Sequence, residues 1–125
     1  MTRAATSILS FGVYLAALGV ALVAIPEIAC GLLGIAAPAD AWPRIVGMLL
    51  LILGFFCWRA AVEENTRFMH WSLLTRSTPI VFLAWFVASG WIEPSILLFG
   101  AVDLAAAAWT FAALRADARA ARPRS

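Results

Sequence analysis

The sequence predicts an all-α integral membrane protein, an up-down-up-down four-helix bundle with both termini cytoplasmic. Composition and block length set the class, and arginine placement sets the orientation. Of 125 residues, 64% are apolar and 13% charged, and the mean hydropathy is +0.94, far from the values of a soluble globular chain. The apolar residues fall into four blocks, each close to the ~20 residues that a helix needs to cross a bilayer. Connections this short make consecutive helices antiparallel neighbours.

The blocks use the whole chain, residues 1–125, as a single transmembrane domain. Span one, about 7–33, carries Gly12, Ala16 and Gly19 on one face, small residues that let backbones approach. Its apolar run exceeds the roughly 7 to 15 residues of a signal-peptide core and no A-x-A stop follows. Glu27 also spoils the lipoprotein-like "EIAC" that ends at Cys30, so the run is read as a retained span. "GIAAPADAWP" closes it with Gly and Pro and opens span two, about 44–62, with Pro43 at the favoured first helical position. Gly47 and Gly54 give span two its own small-residue face. "RAAVEENTRF" is the one charged connector, leading to span three, about 68–89. "SGWIEPS" then introduces span four, about 94–114. The basic cytoplasmic tail, 115–125, sets Arg115, Arg119 and Arg122 on one helical side, suited to anionic lipid headgroups.

Arg3, Arg59, Arg67, Arg115, Arg119, Arg122 and Arg124 fall on the side of the N-terminus, second connector and tail, and Arg44 on the other. Loops held in the cytoplasm carry excess arginine. Trp42 and Trp91 fall at the outer boundary, Trp58 and Trp71 near the inner one, as an aromatic belt requires. The expected location is a membrane, crossed several times, with the lipid bilayer as partner and no nucleic acid.

Chemistry concentrates in "LLTRSTPIVFLAW", where Arg76 and Pro79 interrupt span three. Arg76 lies eight residues in from Phe68, about 12 Å below the boundary of a core about 30 Å thick. Asp103 reaches a similar depth in span four. A lone charge there costs at least about 2.5 to 3.5 kcal/mol, so Arg76 and Asp103 are expected to meet. Ser72, Arg76 and Pro79 share one side of span three; Gly100, Asp103, Ala107 and Thr110 share one side of span four. Pro79 leaves the Thr75 carbonyl without its amide donor. Candidate ligand-binding residues are therefore Arg76, Asp103, Thr75, Ser72, Thr110 and Trp109, the last able to stack on a cation or ring. Trp85 and Phe82 would cover an apolar body. Two readings stay open: the charged pair locks spans three and four together, or it lines a cavity. A second polar pair, Glu27 with Arg44, belongs near the outer surface as an interfacial salt bridge.

Other chemistries are excluded. Cys30 and Cys57 lie roughly 20 Å apart in depth, too far for a disulfide. His70 is the single histidine, so an intrachain bis-histidine haem and a metal site are not expected. No catalytic residue is identified.

"WPRIVGMLLLILGFFCWRAA", "WSLLTRSTPIVFLAWFVASG" and "LLFGAVDLAAAAWT" together resemble the small bacterial DoxX-like four-helix membrane proteins, over about residues 7–114. The resemblance, with the Arg- and Ala-rich composition, implies a four-helix bundle of the bacterial inner (cytoplasmic) membrane, and it implies an association with redox or quinone enzymes as the namesake subunit has; no residue role carries over. The function expected is binding of a small amphipathic, lipid-like or quinone-like molecule at a mid-membrane polar site. The alternatives are an accessory subunit, homo-oligomeric or part of a membrane complex, and an enzyme using Asp103 or Glu27 on a hydrophobic substrate.

Overall fold

The structure is a computed structural model, and it describes residues 1–32, 34–35 and 41–122. Among the described residues six α-helices run α1 Arg3–Ala24, α2 Pro26–Leu32, α3 Trp42–Val62, α4 Thr66–Ser77, α5 Pro79–Ala88 and α6 Leu97–Ala120, the last entered through a 3-10 turn at Pro94–Ile96. No strand occurs among the described residues. Four helical stretches among the described residues are long and apolar enough to cross a membrane: Arg3–Ala24, Trp42–Val62, Thr66–Ala88 and Pro94–Ala120. By length and composition these stretches fit a multi-pass helical membrane protein.

The spans differ from the expected bounds for local reasons. Helix α1 starts at Arg3 because Thr2 caps it, its hydroxyl accepting from the Ala5 amide at 3.1 Å. It ends at Ala24 because Pro26 has no amide to extend the ladder. The chain restarts there as α2 with Pro26 at its first position. The expected end at 33, part of the first connector and residues 123–125 of the tail lie outside the described residues. Span three is two helices, α4 and α5, parted at Thr78 before Pro79. Helix α6 continues through the arginine-rich segment to Ala120.

Helix α1 is central, packed tightly along α3 and also against α6, which in turn packs on α4 and α5; α3 touches α4 only slightly. The α1–α3 contact depends on glycine. A Cβ on Gly12 would lie 3.0 Å from the Cys57 Cβ, one on Gly19 would lie 2.8 Å from the Gly47 carbonyl oxygen, and one on Gly54 would lie 3.1 Å from the Gly12 oxygen. Residue numbers rise along α1 as they fall along α3, so these two helices are antiparallel. At Gly100 on α6 the backbone of Ile80, just past the break, comes equally close.

The core is asymmetric. Ala4, Ala5, Ile8, Phe11, Cys57, Ala61, Met69 and Ala113 form one buried cluster at the end where the chain starts. That end is also stitched by polar groups. The Asp117 carboxylate accepts from the amides of Arg3 and Ala4 at 3.3 and 3.0 Å, and Glu64 accepts from the Thr2 amide at 2.9 Å. These acceptors meet the orphan amides at the positive end of the α1 dipole. Around the Pro79 break, residues of α1, α3, α4, α5 and α6 border the cavities that hold the candidate site.

Candidate ligand-binding site

Ser72 and Arg76 are one helical turn apart on α4, and both are buried. Side chains on a helix lean toward its N-terminus, so Arg76 folds back onto Ser72. Its Nε donates to the Ser72 carbonyl at 3.3 Å and its Nη2 to the Ser72 hydroxyl at 3.1 Å. The guanidinium also sits over the Phe11 ring, 4.8 Å from the centroid. Its Nη1 has no hydrogen-bond partner, although the residue is only 5% exposed.

The neighbouring hydroxyls are all turned to backbone. Ser72 donates to the Met69 carbonyl at 2.7 Å and Thr75 to the Ser72 carbonyl at 3.2 Å. Ser77 and Thr78 donate to the carbonyls of Leu73 and Leu74, each at 2.6 Å. Such back-bonding bends helices and meets backbone acceptors near a proline break.

Arg76 lines a partly enclosed cavity of about 230 Å³, together with Ser72, Thr75, Pro79, Asp103 and Cys57. A second lobe of about 390 Å³ adjoins it, lined by Tyr14, Leu18, Leu22, Leu83 and Phe99 among others. Leu15, Leu50, Pro79 and Asp103 border both lobes. The lining is almost wholly apolar, with a few polar groups converging near the Pro79 break, the usual form of a small-molecule site.

Four of the expected ligand residues, Arg76, Asp103, Thr75 and Ser72, therefore line one cavity. The direct pairing of Arg76 with Asp103 is corrected: no ion pair joins them among the described residues, where the ion pairs are Arg59–Glu63 and the Met1 ammonium with Glu64 at 3.9 Å. Arg76 is held by Ser72 on its own helix and by the Phe11 ring of α1, and Asp103 lines the same cavity.

Two other candidates sit elsewhere. Thr110 is fully buried in the α1–α6 contact, its hydroxyl 2.8 Å from that of Ser7. Trp109 is half exposed and lines a shallow depression with Arg3 and Thr6. Phe82 and Trp85 also point away from the cavity, Trp85 stacking with Phe86 and Trp91 at 5.7 and 5.9 Å; Leu83, between them, is the residue that lines it.

Glu27 and Arg44 border one depression yet form no ion pair. Arg44 instead donates to the Val23 carbonyl, one of the acceptors left open where α1 stops. His70 is exposed and bonded to the Thr66 carbonyl at 2.8 Å. Cys30 and Cys57 are both free thiols. No cluster of metal-ligating side chains occurs among the described residues.

Sequence reasoning missed the contribution of α1. Phe11, Tyr14, Leu15, Leu18 and Leu22 line the cavity along one face of α1, at i, i+3, i+4, i+7 and i+11, and a lone tyrosine in an apolar span was the available signal. No family model, curated protein or solved structure matches this chain.

Proposed function

We propose that this protein binds a small amphipathic or lipid-like molecule within the bilayer, in the cavity between α1, α3, α4, α5 and α6. The observation that carries the reading is the Arg76 guanidinium, 5% exposed, lining an apolar cavity with one nitrogen unpartnered. A buried charge with a free donor is costly, and intramembrane ionisable groups mark ligand or ion sites. An acceptor atom on a bound molecule would meet that donor, and the apolar lobe would take its body.

The proposed setting is the inner membrane of a bacterium, as an up-down-up-down bundle of the DoxX-like kind with both termini cytoplasmic. The arginine distribution supports this orientation. Arg3, Arg59, Arg67 and Arg115 belong to the end where the chain start, the second connector and the close of α6 meet, and Arg44 to the other. All six tryptophans are at least 46% exposed, as interfacial and lipid-facing rings would be.

A second reading, an accessory subunit of a membrane complex, is favoured by α5. None of its residues is buried, so an assembly partner would find an uncovered apolar face. Native mass spectrometry of the protein in mild detergent separates the two. A discrete small adduct that disappears in Arg76→Leu supports binding; an adduct-free oligomer overturns it in favour of assembly.

A further inference from the structure

The cavity holds two unmet hydrogen-bonding needs of opposite kind. Arg76 offers an unpartnered N–H, and a guanidinium can only donate. The Asp103 carboxylate can only accept when ionised, and no donor is paired with it among the described residues. The two residues line the same lobe without an ion pair between them. Their formal charges cancel, and the other titratable side chains in the lining, Cys57 and Tyr14, are neutral in their ordinary forms.

Resting on the binding reading, we infer that the ligand is a single-chain amphiphile whose head is neutral and carries both an acceptor and a donor, a hydroxyl or amide head. The head accepts from Arg76 and donates to Asp103. Its chain runs into the adjoining lobe of about 390 Å³, where Leu18, Leu22, Val46, Leu83, Ile96 and Phe99 offer no polar group to a head. A cavity of roughly 150 Å³ already takes a benzene ring, so the lobe admits an alkyl chain.

Charge bookkeeping decides against a fatty-acid carboxylate. Arg76 alone would attract one, but Asp103 borders both lobes, so a bound carboxylate would leave net negative charge in an apolar setting and place an acceptor against an acceptor. Like charges in such surroundings repel strongly. A head with one lone pair toward Arg76 and one O–H or N–H toward Asp103 leaves the site neutral and both needs met.

The test uses the intact protein in nanodiscs and equilibrium binding of radiolabelled monolaurin and laurate, which share one acyl chain. Wild type is expected to hold monolaurin at least about tenfold more tightly than laurate, a difference of about 1.4 kcal/mol. Asp103→Asn, close in shape and uncharged, is expected to shrink or reverse that preference. Laurate binding as tightly as monolaurin to wild type overturns the inference and leaves the binding reading standing. A preference that persists unchanged in Asp103→Asn does the same. Saturable binding of neither probe to wild type overturns both.

Discussion

The Arg76 guanidinium lies over the Phe11 ring, 4.8 Å from its centroid, and this contact is the tie between α4 and α1 at the cavity wall. Both residues are buried, at 5% and 8% exposure. A desolvated cation–π contact is worth about 2 kcal/mol. Phe11→Leu keeps an apolar side chain and removes the ring face. In a double-mutant cycle with Arg76→Met, read by unfolding in mixed micelles, the expected coupling is about 1 to 2 kcal/mol. Coupling near zero would mean that the ring only fills space.

Gly19 and Gly47 face one another with no room for a methyl group. A Cβ on Gly47 would lie 2.7 Å from the Gly19 carbonyl oxygen and 2.9 Å from the Leu22 Cβ. The obstacle is backbone, so the helices must separate. Gly47→Ala is expected to destabilise by about 1 to 3 kcal/mol. Gly31→Ala is the control, since nothing lies within 4 Å of its would-be Cβ and helical Ala is preferred over Gly by roughly 0.5 to 1 kcal/mol. The two variants should shift the unfolding midpoint in opposite directions.

This contrast shows what could be read from the sequence. The small-residue faces of spans one and two were legible because their spacing is local to each helix, and the same holds for the side of α6 that carries Gly100, Ala107 and Thr110, all buried. Partner choice was not. Arg76 found Ser72 one turn back on its own helix, and Arg44 found the carbonyl of Val23. Nearby backbone acceptors outcompeted carboxylates that periodicity placed at matching depth. Thr110 was assigned to the cavity because face analysis fixes which side looks inward. It cannot say which neighbour fills that side, here Ser7.

Glu64 holds a left-handed backbone conformation, with φ of 49°. It follows α3, where the Asn65 amide reaches back to the Ala60 carbonyl at 2.9 Å, a helix ending that normally uses glycine. Its carboxylate also takes the Thr2 amide. Both Glu64→Ala and Glu64→Gly remove that bond, but only glycine relieves the backbone. Glu64→Gly is expected to be about 1 kcal/mol more stable than Glu64→Ala. Equal unfolding midpoints for the two would show that the conformation carries no strain.

Asp117 presents its carboxylate to the first amides of α1. Removing a cap of this kind costs about 1 kcal/mol. Asp117→Ala is expected to lower stability by that amount and to speed hydrogen exchange at the amides of Arg3 and Ala4. Asp117→Asn, which keeps an acceptor and loses the charge, should fall between. Unchanged exchange at those two amides would rule out a capping role.

Ser7 and Thr110 join α1 to α6 by a hydrogen bond wholly inside the bundle, and no wall of the Arg76 cavity includes either residue. Their role is to lock two spans. Interhelical hydrogen bonds in membranes average about 0.6 kcal/mol, with a maximum near 1.7. Thr110→Val keeps the shape and loses the hydroxyl, so it should cost roughly that much and the same again should not be lost on adding Ser7→Ala. The adduct that the proposed binding function predicts at Arg76 should survive Thr110→Val. An adduct lost in Thr110→Val at unchanged stability would instead place the Thr110 hydroxyl on the ligand.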